Sequence, residues 1–268
     1  MPRSVLDMTH DADLSPALQQ LLDSVPDTGP VTTETVRYTH DGTELAGFLA
    51  APGGPGTRRP AVLVLHDWFG VVDHVKVRAR MLARLGYVAL AGDLYGADVR
   101  PASNEEAAGL AGRYYGDVEL FRARVLANLD ALRADPRVDP DRIVVMGYCF
   151  GGSAALEAAR AGADVRGVVA FHGNLGTGAP AVPDSITASV LVLTGAADPV
   201  VPDTAVATFQ DEMRHAGVED WQVVTYSGAM HAFAVPDTHA PEMGAAFQDT
   251  ANRRSWRAME DFLAEVSA

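Results

Sequence analysis

Apolar and polar residues alternate along Thr32–Thr39 and Glu44–Ala50, with Asp41-Gly42 between them. A two-residue period on either side of an Asp-Gly pair predicts a β-hairpin. The pattern then changes. Ala61-Val-Leu-Val-Leu65 is an unbroken apolar run, as expected of a strand buried on both faces. Val75–Leu85 has helical spacing and stops at Gly86, and Tyr87–Ala91 is a second buried strand. Beyond them the chain reads as a long helical region Asn104–Arg133, strand Ile143–Met146, helix Gly152–Ala161 and strand Val165–Phe171. Strand Val190–Thr194, helix Thr204–Ala216, strand Trp221–Tyr226 and helix Asn252–Val266 complete it. Such alternation predicts an α/β fold with a mostly parallel central sheet of about eight strands and helices on both faces. Ligands of these sheets bind outside the carboxyl ends of the strands.

Residues 1–30 lie outside this rhythm. Their amphipathic stretch Leu14–Leu22, closed by Pro26 and Pro30, reads as an N-terminal arm packed on the body, and residues 31–268 as a single domain. No repeat and no low-complexity tract interrupts them.

Composition narrows the function. The chain has 268 residues, 48% of them hydrophobic and 21% charged, enough apolar material for a sizeable core. Lys and Arg number 21 against 35 Asp and Glu, a net charge of −14. Nucleic-acid binding requires a basic face and anionic lipid attracts basic segments, so neither partner is expected. No apolar run reaches the length of a membrane span, and the first residues lack the apolar stretch of a secretory signal. With one cysteine, neither an internal disulfide nor a multi-thiolate zinc site is available. The expectation is a soluble cytoplasmic protein with no metal, a monomer or a homodimer.

That cysteine stands in Gly147-Tyr148-Cys149-Phe150-Gly151-Gly152, between a strand and a helix. Gly-x-nucleophile-x-Gly is the pattern of a nucleophile elbow, whose small flanking residues permit a sharp strand-to-helix turn. Amides at a helix N-terminus stabilise a thiolate and raise its reactivity. The plain alternative is a small buried hydrophobe, the usual fate of a free cysteine; the flanking glycines and the strand–helix setting favour the nucleophile.

A cysteine nucleophile needs a base, and the base an orienting acid, expected downstream in the order acid then His. Asp198 follows the strand Val190–Thr194 in Gly195-Ala-Ala-Asp-Pro199, and His231 follows the last strand in Ser227-Gly-Ala-Met-His-Ala-Phe233. Taken singly, Asp198 could be a turn residue before proline and His231 a surface histidine. Together, in the required order, they complete a candidate Cys149–His231–Asp198 triad. Oxyanion stabilisation requires two backbone amides, assigned to Phe150 after the nucleophile and to Trp68 in the loop after the third strand. Asp67 in that loop reads either as a turn residue or as an acidic partner of the thiol. His66 and His172 end buried strands and are expected to fix loops by hydrogen bonding, while His10, His40, His74, His215 and His239 read as arm, turn or surface residues. Phe69, Tyr95, Tyr148 and Phe233, also near strand ends, are candidates for an apolar substrate pocket.

These residues resemble the dienelactone hydrolase family of the α/β-hydrolase fold. The resemblance runs from about Thr32 to Leu263 and is carried by residues 147–152, Asp93-Leu94-Tyr95, Gly195-Ala-Ala-Asp198 and His231-Ala-Phe233. It implies a cofactor-free hydrolase with Cys149 as nucleophile, His231 as base and Asp198 as orienting acid. It also implies that a carboxylate at the position of Asp67 helps to generate the thiolate. Asp67 is one methylene shorter than the glutamate usual there. Family members that open dienelactone hold its carboxylate with arginines after the Asp-Leu-Tyr motif and after the catalytic His. Here Gly96-Ala97-Asp98 and Ala232-Phe233-Ala234-Val235 stand instead, with Arg100 lying later. A buried carboxylate without such partners is costly, so uncharged esters or lactones are the expected substrates. The alternatives are a true dienelactone hydrolase, a broad carboxylesterase, and a thiol-based redox or ligand sensor.

Overall fold

The computed structural model describes residues 14–54 and 56–268. The first part of the arm, with His10, lies outside them. In chain order the strands are β1 (Val31–His40), β2 (Thr43–Pro52), β3 (Arg59–Leu65), β4 (Val88–Gly92), β5 (Val138–Tyr148), β6 (Gly167–Phe171), β7 (Ser189–Gly195) and β8 (Trp221–Tyr226). They form one eight-stranded sheet in the order β1-β2-β4-β3-β5-β6-β7-β8. β1–β2 and β2–β4 pair antiparallel and every other neighbour pairs parallel. The hairpin forms where expected: Asp41 and Gly42 have φ of 46° and 71°, the two positive values its tight turn demands.

Helices cover both faces. α1 (Pro16–Leu22), α2 (Asp73–Arg84) and α7 (Asp249–Val266) enclose one core, built on Val62, Val64, Val144 and Met146. α3 (Asn104–Tyr115), α4 (Val118–Arg133), α5 (Phe150–Arg160) and α6 (Asp203–His215) enclose the other, on Leu63, Leu65, Val145 and Val168. Alternate residues of the central strands therefore feed opposite cores, which is why these strands are apolar throughout. In the arm, Ser15 caps α1 by accepting from Leu18 N at 3.2 Å, and Leu21 and Leu22 are buried. Among the described residues no helix is long and apolar enough to cross a membrane.

Two local features depart from the periodicity reading. The region Asn104–Arg133 is two helices, because Gly116 closes α3 and the Asp117 side chain restarts the chain as the N-cap of α4, accepting from Leu120 N at 3.0 Å. A short hairpin, β9 (His239–Ala240) with β10 (Ala245–Ala246), follows β8. Strands of two residues carry no readable period.

Candidate active site

β5 delivers the chain to Cys149, where φ is 54° and ψ −115° before α5 begins at Phe150. Such a conformation is strained for a residue with a side chain, and such strain gathers at functional sites. Two glycines make it sterically possible. A Cβ on Gly147 would lie 2.1 Å from Gly151 O, and one on Gly151 would lie 2.2 Å from Leu65 O. Cys149 N donates to Phe171 O of β6 at 2.9 Å, which ties the elbow to the neighbouring strand.

His231 is held by the small hairpin that the sequence does not reveal. Its amide donates to Gly244 O at 2.9 Å and its carbonyl accepts from Ala246 N at 3.0 Å. The ring then spans the two other candidates: Nε2 is 3.0 Å from Cys149 Sγ and Nδ1 is 2.9 Å from Asp198 Oδ2. The second Asp198 oxygen accepts from Val200 N at 2.8 Å, so the residue is both a turn former and the partner of His231. Burial works against a charged His231 ring, but the hydrogen bonds to Asp198 and Cys149 outweigh it and raise the group to about 10. A cation is thereby held beside the sulfur.

The loop after β3 presents the second candidate amide. Among the described residues neither Trp68 N–H nor Phe150 N–H is used by another group. Three bonds shape this loop. Asp67 Oδ1 accepts from Phe69 N at 2.8 Å, Tyr95 Oη donates to Trp68 O at 3.2 Å, and His66 Nε2 accepts from Leu94 N at 3.1 Å. His66 Nδ1 must then carry the hydrogen and donates to Asp67 O. His66 is thus the loop-fixing residue expected of it. Asp93 acts in the same way. Its Oδ1 accepts from Tyr95 N and Gly96 N, both at 3.0 Å, and its Oδ2 from Ala46 N at 2.9 Å.

Several other residues stand apart from their expected places. Asp67 makes no hydrogen bond to Cys149; its second oxygen faces His74 Nδ1 at 3.8 Å. His74 is therefore no surface residue but is buried, on the inner face of α2. Its position in the first turn of that helix and four residues before Arg78 is a signal that single-residue reading passes over. His172 fixes no loop by its side chain: both ring nitrogens lack partners among the described residues, and its ring packs 5.3 Å from that of His231. Burial holds it neutral, well below its ordinary value, with the His231 charge acting in the same direction. Tyr148 and Phe233 are wholly buried in the core below the triad and line no open pocket. Tyr95 is buried against Phe150 and Tyr114, and Phe69 is half-buried at the surface.

A half-open pocket of about 190 Å³ does lie beside the elbow, unforeseen in the sequence. Tyr114, Tyr115, Val118 and Phe121 supply its apolar wall, with Ser153 and Asn174 as polar positions. Ser153 Oγ is 3.4 Å from Cys149 O and 3.1 Å from Tyr115 Oη, which places the pocket one helical turn from the nucleophile position. Glu157, at its base, is ion-paired with Arg122 at 2.8 Å and Arg160 at 2.9 Å. Among the described residues no group of three or more His, Cys, Asp or Glu is placed to hold a metal ion.

The sheet, the elbow and the order of the loops that follow it define an α/β-hydrolase. Residues 45–267 match the dienelactone hydrolase family, and the chain belongs to that family. It is accordingly a hydrolase of ester bonds. Two solved structures are similar over most of both chains. One is the protein m3DLH, 38% identical with a TM-score of 0.84, covering 90% of this chain and 100% of its own. The other, a dienelactone hydrolase-like promiscuous phosphotriesterase from metagenomic libraries, is 38% identical with a TM-score of 0.81 over the same shares, 90% and 100%. A Bradyrhizobium protein named as a probable 2-oxo-3-(5-oxofuran-2-ylidene)propanoate lactonase is 32% identical over 220 residues, 77% of this chain and 86% of its own.

Proposed function

We propose that the protein hydrolyses small, uncharged esters or lactones through a thioester on Cys149. The observation that carries this reading is the continuous line of contacts from Cys149 Sγ through His231 to Asp198, at 3.0 Å and 2.9 Å. The Cys149 thiolate attacks the ester carbonyl carbon, and the carbonyl π electrons move onto oxygen, where the Trp68 and Phe150 amides receive the charge. Collapse of this intermediate breaks the carbon–oxygen bond, and the departing alkoxide takes a proton from the His231 imidazolium. In a lactone the alcohol stays tethered. Neutral His231 then removes a proton from water as the water attacks the thioester; collapse releases the acid and returns the thiolate. Asp198 keeps the ring oriented and offsets its charge.

Two features support an uncharged substrate. The pocket beside Ser153 is walled by aromatic rings, and its one carboxylate is already matched by two arginines. A cavity on the order of 150 Å³ suffices for a benzene ring, so the pocket suits a ring-sized neutral group. The second feature is the lack of arginine immediately after Tyr95 and after His231.

A second reading, hydrolysis of a carboxylate-bearing lactone, is favoured by Arg100. Its Cδ lies 3.2 Å from the point a Cβ on Gly70 would occupy, so the side chain lies along the Trp68 loop. Its exposed guanidinium donates to Val99 O at 2.6 Å, and a substrate carboxylate could replace that acceptor. The name of the Bradyrhizobium relative, a propanoate lactonase, agrees with this second reading.

The test is the rate of dienelactone hydrolysis beside that of a neutral aryl ester of a short acid, with Cys149→Ala as the blank. Preference for the aryl ester, lost in the blank, is the expected result. Preference for dienelactone, lost on Arg100→Ala, would establish the second reading. Activity surviving in Cys149→Ala would remove both.

A further inference from the structure

Arg78 is fully buried in α2, and among the described residues no carboxylate is close enough to pair with it. An unpaired charge held out of water is costly, so what the guanidinium touches is informative. It lies against the rings of Tyr148 and Trp256, at 5.2 Å and 4.9 Å. Nη2 donates to Asn252 Oδ1 of α7 at 2.6 Å and to Ala234 O at 2.7 Å. Ala234 belongs to the loop of His231, in which Ala232 has the strained φ of 56°.

The third donor points elsewhere. Arg78 Nε donates to His74 Nε2 at 3.3 Å. Arginine only donates, so Nε2 holds a lone pair. Burial keeps His74 neutral, below its ordinary value, so its hydrogen is on Nδ1. That atom makes no hydrogen bond among the described residues; it stands 3.8 Å from Asp67 Oδ2, a packing and electrostatic contact, and the other oxygen of Asp67 holds the amide of Phe69. One guanidinium thus hydrogen-bonds the base loop directly, and through His74 it is packed against the oxyanion loop.

We infer that Arg78 is a positioning residue that braces these two loops against each other, with His74 as its link to Asp67. The inference rests on the assignment of His231 as base and of the Trp68 amide as oxyanion donor. Loss of the brace lets base and oxyanion donor drift relative to Cys149. Misplacement of about 1 Å costs up to roughly 100-fold in rate. Substrate binding, which uses the pocket beside Ser153, is left alone.

The experiment measures kcat, KM and melting temperature on a neutral aryl ester for Arg78→Met, Arg78→Lys, His74→Leu and His74→Gln. Trp256→Phe, which shrinks the ring beside the guanidinium and removes the indole bond to Glu260 but leaves every hydrogen bond of Arg78 in place, serves as the packing control. Arg78→Met is expected to lower kcat about 10- to 100-fold with KM within about twofold. Arg78→Lys keeps the charge and a donor for Ala234 and should recover part of that loss. His74→Leu should lower kcat less, with partial recovery in His74→Gln. A folded Arg78→Met with unaltered kcat overturns the inference, as does equal kcat in the Met and Lys variants, or a kcat loss in Trp256→Phe matching its loss of melting temperature. Should Arg78→Met fail to fold, the His74 pair decides: His74→Leu with unaltered kcat overturns the brace. Cys149→Ala, assayed alongside, separates the two ideas. Activity there defeats the nucleophile assignment, whereas inactivity there beside a fully active Arg78→Met defeats only the brace.

Discussion

The phenol of Tyr95 donates to the carbonyl oxygen of Trp68 at 3.2 Å. That carbonyl is not itself a candidate for the chemistry; the N–H of Trp68 is. A bond to the carbonyl side of the residue sets the direction in which the loop presents its amide. Asp93 anchors Tyr95 in turn through its backbone, so the Asp-Leu-Tyr segment acts on the site from behind. Tyr95→Phe keeps the ring packing on Phe150 and removes only this bond. We expect kcat to fall about 3- to 10-fold with little change in KM, as when an interaction felt in the transition state is weakened. Steady-state kinetics on an aryl ester will show it; an equal rise in KM with kcat unaltered would place Tyr95 in substrate binding instead.

His231 is raised from its ordinary 6.5 to about 10, burial being outweighed by its hydrogen bonds to Asp198 and Cys149. A group raised on folding stabilises the protein fully below its unfolded value and loses that contribution as pH climbs through its folded value. Melting temperature should therefore decline between pH 6.5 and about 10 more steeply in the wild type than in His231→Ala. NMR titration of the ring gives the value directly.

In Asp198→Asn the amide still occupies the place of the acid but no longer offsets the ring's charge. The His231 titration should move down toward 6.5 and kcat should fall on the order of 10³- to 10⁴-fold. An unmoved titration would mean that the sulfur alone raises the ring.

The elbow glycines admit no side chain. Gly147→Ala would force a methyl to 2.1 Å from Gly151 O, a backbone atom that cannot step aside. A cost of about 3 kcal/mol or more is expected, a fall in melting temperature of about 6–12 °C for a chain of this size. Differential scanning calorimetry measures it, and a soluble Gly147→Ala of wild-type stability would mean that the elbow can relax.

Arg160 sits between Glu157 and Glu212, at 2.9 Å and 2.7 Å, and also donates to Leu175 O at 2.7 Å beside the pocket loop. Arg160→Met leaves a buried carboxylate with Arg122 as its remaining partner. Removing one member of a buried pair typically costs about 3–5 kcal/mol. The midpoint of urea unfolding should fall accordingly, and an unchanged midpoint would show that Arg122 compensates alone.

Much of this architecture was legible because it is written in local periodicity. Val62 and Leu63 point to opposite cores, so their strand had to be apolar on both sides, and such runs mark the buried strands directly. Cys149 was legible because only glycine is tolerated two residues before and after it. Asp198 and His231 were legible only through their order after strands. The split at Gly116-Asp117 was obscured by continuous helical spacing on either side, since a single capping residue leaves the period intact. Tyr148 and Phe233 were misread for a different reason. Tyr148 ends a strand, Phe233 and Tyr95 stand in loops after strands, and nothing in the residue type says whether an aromatic ring turns toward solvent or toward the core.

The sequence by itself determined the sheet, the elbow and the family, because each depends on spacing between near neighbours and on residue types that sterics allow nowhere else. Only the tertiary structure decided which groups meet. Asp67 faces His74 and makes no hydrogen bond to Cys149, Arg78 reaches a loop more than 150 positions away, and a hairpin with strands of two residues holds the backbone of His231. These are contacts between segments whose relative placement is set by the packing of two cores against one sheet, and no local pattern of residues encodes them.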